Sequence, residues 1–163
     1  DTAPVNGTYT LAEPSTTSGA VKGVATAKDN ENDSMTFHGP TKSAKGGTLS
    51  VSSNGAFTYT PTAAARHAAS ADSATTQDKT DTFTVNVVDK YGATTAIPVT
   101  VNILGKNAAP TGGKATVGQP DYISGVVTGK VTASDADKDT VTYSGSNDTG
   151  RGTVVVNSDG TFS

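Results

Sequence analysis

Short runs rich in Val, Thr, Ile, Tyr and Phe alternate along the chain with clusters of Gly, Asn, Asp, Ser and Pro. Strand-length runs punctuated by turn-formers predict an all-β fold. Residues 8–11 read as an edge strand, since prolines stand on both sides and a proline cannot donate to a ladder. Residues 21–27 and 34–37 follow as the second and third strands. Residues 48–51 and 56–60 make a hairpin around Ser52-Ser53-Asn54-Gly55, where Asn-Gly suits the two positive φ values of a tight turn. Pro61 ends it. Residues 62–73 gather helix-formers around Arg66-His67 and predict one or two helical turns with Thr62 as N-cap, too short to stand without packing. The strongest strand covers residues 81–88, where Phe83, Val85 and Val87 share one face. Asp89-Lys90-Tyr91-Gly92 is its turn, and residues 94–103 return as the last strand.

Seven strands in about 100 residues is the size of an immunoglobulin-like Greek-key β-sandwich, with Phe57, Tyr59, Phe83, Val85 and Val87 expected inside. The pattern then starts over. Asp29, Glu31, Asp33 and Phe37 return as Asp135, Asp137, Asp139 and Tyr143, a constant interval of 106. Ala3-Pro4 returns as Ala109-Pro110, Ser18-Gly19 as Ser124-Gly125 and Gly23 as Gly129. The hairpin returns at an interval of 105, with Asp159-Gly160 in place of Asn54-Gly55. A fixed interval of this kind marks a tandem repeat. Residues 1–106 are therefore expected to form a complete sandwich, and residues 107–163 the first part of a second, truncated repeat. That part has no counterpart of Phe83 to Ile103, so in isolation it is expected to stay disordered or to be completed by strands from another chain. Completion by another chain, or a longer parent molecule, is the favoured expectation.

Composition narrows the class. The chain of 163 residues carries 17% charged and 33% hydrophobic residues with 18 glycines, which suits a thin β-sandwich core. A formal net charge of −3 argues against a nucleic-acid partner, which would call for a basic stripe. No run approaches the length of apolar residues that a membrane-spanning helix needs. Cysteine is absent, so metal ions or repetition itself are left as ways to stiffen the chain. Asp1 is not a methionine and no signal peptide is visible, as expected of a piece excised from something larger.

The candidate chemistry lies in the acids at alternate positions. They do not make an EF-hand, which needs Gly at loop position 6 and Glu at 12. Counted from Asp135 those places hold Thr140 and Ser146, and from Asp29 they hold Ser34 and Pro40. In an antiparallel sandwich, however, the loop after the second strand and the loop after the sixth lie at the same end. Asp29, Glu31 and Asp33 are thus expected near Asp89, a set of oxygen ligands suited to a hard ion such as Ca2+. The competing expectation is that these acids only form turns. His38 and His67 are the only histidines, far apart in a chain without Cys and outside any zinc or hydrolase motif, so no catalytic residues are expected. Asn6-Gly7-Thr8, Asn32-Asp33-Ser34 and Asn147-Asp148-Thr149 match the N-glycosylation triplet, a frequent chance match in Ser/Thr-rich chains.

Val-x-Ala-x-Asp-x-Asp followed by a short strand ending in Tyr resembles the calcium motif of cadherin repeats. Asp89-Lys90-Tyr91-Gly92 resembles their later Asp-x-Gly turn, and Asn107-Ala108-Ala109-Pro110 the end of their inter-repeat linker. The nearer resemblance is to bacterial cadherin-like and VCBS-type Ig-like repeats. The chain departs from the pattern at Leu104-Gly105-Lys106, where acids usually precede the linker, and at Glu31, which replaces the middle Asp. The resemblance implies a cadherin-like sandwich and a structural or adhesive role in a large secreted or cell-surface protein. It also implies Ca2+ at loop ends and junctions, with Asp29, Glu31, Asp33, Asp89, Asn107, Asp135, Asp137 and Asp139 as ligands. The implied partners are neighbouring repeats and a surface ligand. A carbohydrate-binding sandwich is the alternative, though the chain has no Trp and only 6% aromatics.

Overall fold

The computed structural model describes residues 1–145 and 150–163. The triplet Asn147-Asp148-Thr149 and Ser146 lie outside them. The chain divides into two compact units, residues 1–70 with 74–107, and residues 71–73 with 108–163.

The first unit contains seven strands and one helix: β1 (Val5–Leu11), β2 (Val21–Lys28), β3 (Met35–His38), β4 (Thr48–Val51), β5 (Ala56–Thr60), α1 (Ala63–Ser70), β6 (Thr80–Asp89) and β7 (Thr94–Asn102). They form two antiparallel sheets, β1-β2-β5-β4 and β3-β6-β7. This is the all-β, Greek-key sandwich the alternation predicts. Along β6, buried Asp81, Phe83, Val85, Val87 and Asp89 alternate with outward residues, because successive strand side chains point to opposite faces. Ile97, Val99 and Val101 of β7 fill the same face. Rings tie the sheets together: Phe57 of β5 meets Phe83 of β6 edge-on at 5.4 Å, and Tyr59 stacks on Phe83 at 6.2 Å.

Polar groups secure the end of this core at which β6 starts and β7 finishes. The Asp81 carboxylate accepts from the Ser43 hydroxyl at 2.5 Å, the Tyr59 hydroxyl at 2.9 Å and the backbone N–H groups of Lys45 and Thr82. Burial and the Asp81 carboxylate together push the Tyr59 phenol well above its ordinary range. Thr62 caps α1, its hydroxyl accepting from Ala65 N–H at 3.0 Å, as the sequence predicts. Arg66, buried on α1, donates to the carbonyls of Leu104 and Thr17 and so anchors the helix to the end of β7 and the β1–β2 loop.

One local expectation is corrected. The β4–β5 turn does not take two positive φ values. Gly55 has φ +90° while Asn54 has no positive φ, and the Gly55 N–H closes the turn on the Ser52 carbonyl at 2.9 Å. Ser52 through Gly55 therefore make the longer loop with a left-handed glycine at its end, a second common hairpin solution.

The second unit has β8 (Thr111–Val117), β9 (Gly129–Ser134) and β10 (Thr161–Phe162) in one sheet, ordered β10-β9-β8. The expected counterparts of β3 and β4 are not regular strands here. β3 pairs only with β6 in the first unit, and residues 108–163 contain no counterpart of β6. Local geometry nevertheless repeats. Ala25 N–H bonds to Gly55 O and Phe37 N–H to Ser53 O, and Val131 bonds to Gly160 and Tyr143 to Ser158 in the same way. Burial does not repeat: Val21, Ala25, Leu49 and Phe57 are buried, whereas Val127, Val131, Val154 and Phe162 are half-exposed.

Candidate metal centre

Both acidic loops fold by one device. Asp29 Oδ1 accepts the N–H groups of Glu31 at 2.9 Å and Asp33 at 2.8 Å. Asp135 Oδ1 accepts those of Asp137 at 2.8 Å and Asp139 at 3.3 Å. Each loop then passes through a left-handed residue, Asn32 at φ 60° and Lys138 at φ 65°. Asp89 does the same for the β6–β7 turn, its Oδ1 accepting from Tyr91 at 2.8 Å and Ala93 at 2.9 Å. Short acidic side chains that bond their own backbone two and four residues on are turn-formers.

Turn formation uses only one oxygen of each carboxylate. In the first unit Asp29 Oδ2, Asp33 Oδ2 and Asp89 Oδ2 are buried without a hydrogen-bond partner. A buried, unpaired carboxylate oxygen carries a desolvation penalty that nothing in the turn repays. The loops that hold these atoms meet at one end of the sandwich. Met35 pairs with Asp89, and Lys90 Nζ lies 2.7 Å from Asp33 Oδ1. The Asp33 carboxylate, with a smaller contribution from Tyr91, holds the Lys90 ammonium above the usual lysine range.

The eight sequence candidates divide accordingly. Asp29, Asp33 and Asp89 share the end of the first unit. Glu31 belongs to the same loop, but its longer side chain reaches the Thr2 hydroxyl, which donates to its two oxygens at 2.8 and 3.1 Å. In the second unit, carboxylate oxygens of Asp135, Asp137 and Asp139 all lie within 4.8 Å of one another, the one group of that kind among the described residues. Asp137 is buried and accepts from the Ala108 N–H. Ala108 is the counterpart of Thr2, so the middle acid of each loop is held by the equivalent residue. Asn107 is exposed at the end of the first unit. The residue the sequence left in the background is Lys90, legible there only as part of a turn.

Among the described residues only the carboxylates of Asp135, Asp137 and Asp139 are close-set, and such hard oxygen donors suit a hard, geometrically tolerant cation such as Ca2+. The first unit offers orphaned carboxylate oxygens of the same chemistry, not drawn into a group that tight.

No curated protein and no solved structure matches the chain. A family model does: the bacterial cadherin-like domain matches residues 1–105. The match spans the seven-strand sandwich of the first unit, and the chain belongs to the bacterial cadherin-like domain family.

Proposed function

We propose that this chain is a Ca2+-stiffened link in a tandem array, part of a large secreted or cell-surface protein that works in adhesion. A cadherin-like domain is a structural or adhesive module, and the recurrence of turns, φ values and hydrogen bonds at a fixed interval supports an array. The observation that carries the metal is the set of buried oxygens of Asp29, Asp33 and Asp89 that have no hydrogen-bond partner. Ca2+ would draw together loops that otherwise repel, fixing the end of the sandwich. The half-exposed inner residues of the second unit, Val131, Tyr143 and Val154, call for cover by strands equivalent to β6 and β7. The role is non-enzymatic. A carbohydrate platform would want several exposed rings on one face, whereas the chain has no Trp and only 6% aromatics.

The test is thermal unfolding of the chelator-stripped chain with and without Ca2+. An ion that binds the folded state raises the melting temperature once its concentration passes Kd. An unchanged melting temperature at several times the roughly 10⁻⁴–10⁻³ M expected of extracellular modules would overturn the metal reading.

A further inference from the structure

The acidic end of the first unit already holds a cation, its own lysine. Lys90 Nζ stands 2.7 Å from Asp33 Oδ1. The Asp33 side chain is 8% exposed and that of Lys90 47% exposed, so the carboxylate is fixed in the fold while the ammonium sits at the rim. Asp29 also contributes to the field at the ammonium. The loops at this end carry three buried oxygens without hydrogen-bond partners, Asp29 Oδ2, Asp33 Oδ2 and Asp89 Oδ2, and Asp89 is 5% exposed. One amine donates to one of these carboxylates and leaves the others unsatisfied. A divalent ion could bind several at once.

We propose that Lys90 is an internal competitor for Ca2+ at this end of the sandwich: without the ion its ammonium neutralises Asp33, and Ca2+ binds by displacing it into solvent. This inference rests on the metal reading above and adds its regulation. The ammonium and the ion share one ligand, Asp33, so the lysine weakens ion binding by the free energy of its own pairing. It also spares the unit the full repulsion among its acids when Ca2+ is scarce. The half-exposed amine can swing outward without disturbing the core. The consequence is a module that stays folded over a wide range of Ca2+ and responds only at high concentration.

The experiment is calorimetric titration of Ca2+ into the full chain carrying Asp135→Asn and Asp137→Asn, which silences the second cluster. It is repeated after adding Lys90→Met or Lys90→Arg. Removing the competitor should tighten binding by about tenfold or more, since Ca2+ affinity follows the charge of the ligand set. Lys90→Arg, which keeps a cation against Asp33, should stay much closer to the parent. In chelator the Lys90→Met variant should melt below its parent and regain that loss when saturated with Ca2+. Equal or weaker Ca2+ binding by the folded Lys90→Met variant would reduce the lysine to a surface ion pair and overturn the inference alone. No Ca2+ uptake by either the parent or that variant would overturn the metal reading and this inference together.

Discussion

Met35 and Asp89 are direct partners across β3 and β6. That single pairing brings the loop of Asp29 and Asp33, two residues before Met35, against the turn that Asp89 closes and Lys90 follows. A one-residue slip in register would turn every side chain of β3 to the other face. Phe37, buried on β3, prevents the slip, so the hydrophobic core fixes where the acids meet.

Asp89 separates turn-forming from ion-binding. Asp89→Asn keeps an oxygen for the Tyr91 and Ala93 N–H groups while removing a buried charge. Its stability in chelator should match or exceed the parent's, and stabilisation by Ca2+ of the first unit should be lost. Asp89→Ala also removes the turn bonds and should cost about 1–3 kcal/mol with or without the ion. Urea unfolding in chelator and in Ca2+ distinguishes the two. If Asp89→Asn retains the full Ca2+ effect, Asp89 is a turn residue only.

Tyr59 should make the first unit sensitive to alkali. Its phenol is held above its ordinary value of 10.0 by burial and by Asp81. The folded state therefore keeps the proton longer than the unfolded one, so the contribution is full below pH of about 10 and falls away as pH rises beyond it. Tyr59→Phe should lose about 1.5–3 kcal/mol at neutral pH, the worth of a hydrogen bond to a charged group, and flatten the alkaline limb. A stability profile above pH 10 identical in parent and variant would contradict this.

Gly55 and Gly160 occupy equivalent turns with φ of +90° and +85°. A Cβ at either would stand 2.2 Å from a backbone oxygen, that of Ala25 or of Val131. Gly55→Ala should cost roughly 2–4 kcal/mol, combining left-handed strain with a clash that no side chain can relieve. Gly160→Ala lies in a unit without a closed core, so its effect should be local. Amide exchange should show faster opening at Val131 with little change at Ala25. Equal global destabilisation by both would mean that the units unfold as one.

The elements that alternation and caps decide were legible in the chain. Phe83, Val85 and Val87 announced a buried strand face, Thr62 a helix start, and the Asp-rich loops their own turns. What distant pairing decides was not. Nothing near Asp81 in sequence shows that Ser43 and Tyr59 will enclose it, nor that Arg66 will find the carbonyls of Thr17 and Leu104. Asn54-Gly55 marked a hairpin but not its loop type, because Ser52 and Ser53 allow a longer closure. Residues 140–143 read as a strand by their resemblance to residues 34–37, yet a strand whose only partner is β6 has nothing to pair with in the second unit. At the candidate centre, the acids and their spacing could be read directly. The diversion of Glu31 to Thr2 and the ammonium of Lys90 against Asp33 needed the fold.

Whether these acids hold Ca2+ is the central question for this protein. The most direct measurement is calorimetric titration of Ca2+ into the chelator-stripped chain, beside variants carrying Asp29→Asn with Asp89→Asn, or Asp135→Asn with Asp137→Asn. The account predicts saturable binding with Kd of roughly 10⁻⁴–10⁻³ M and a part of the signal lost in each variant. No saturable heat at several millimolar Ca2+, or the same isotherm in all three proteins, would contradict it and leave the acids as turn-formers.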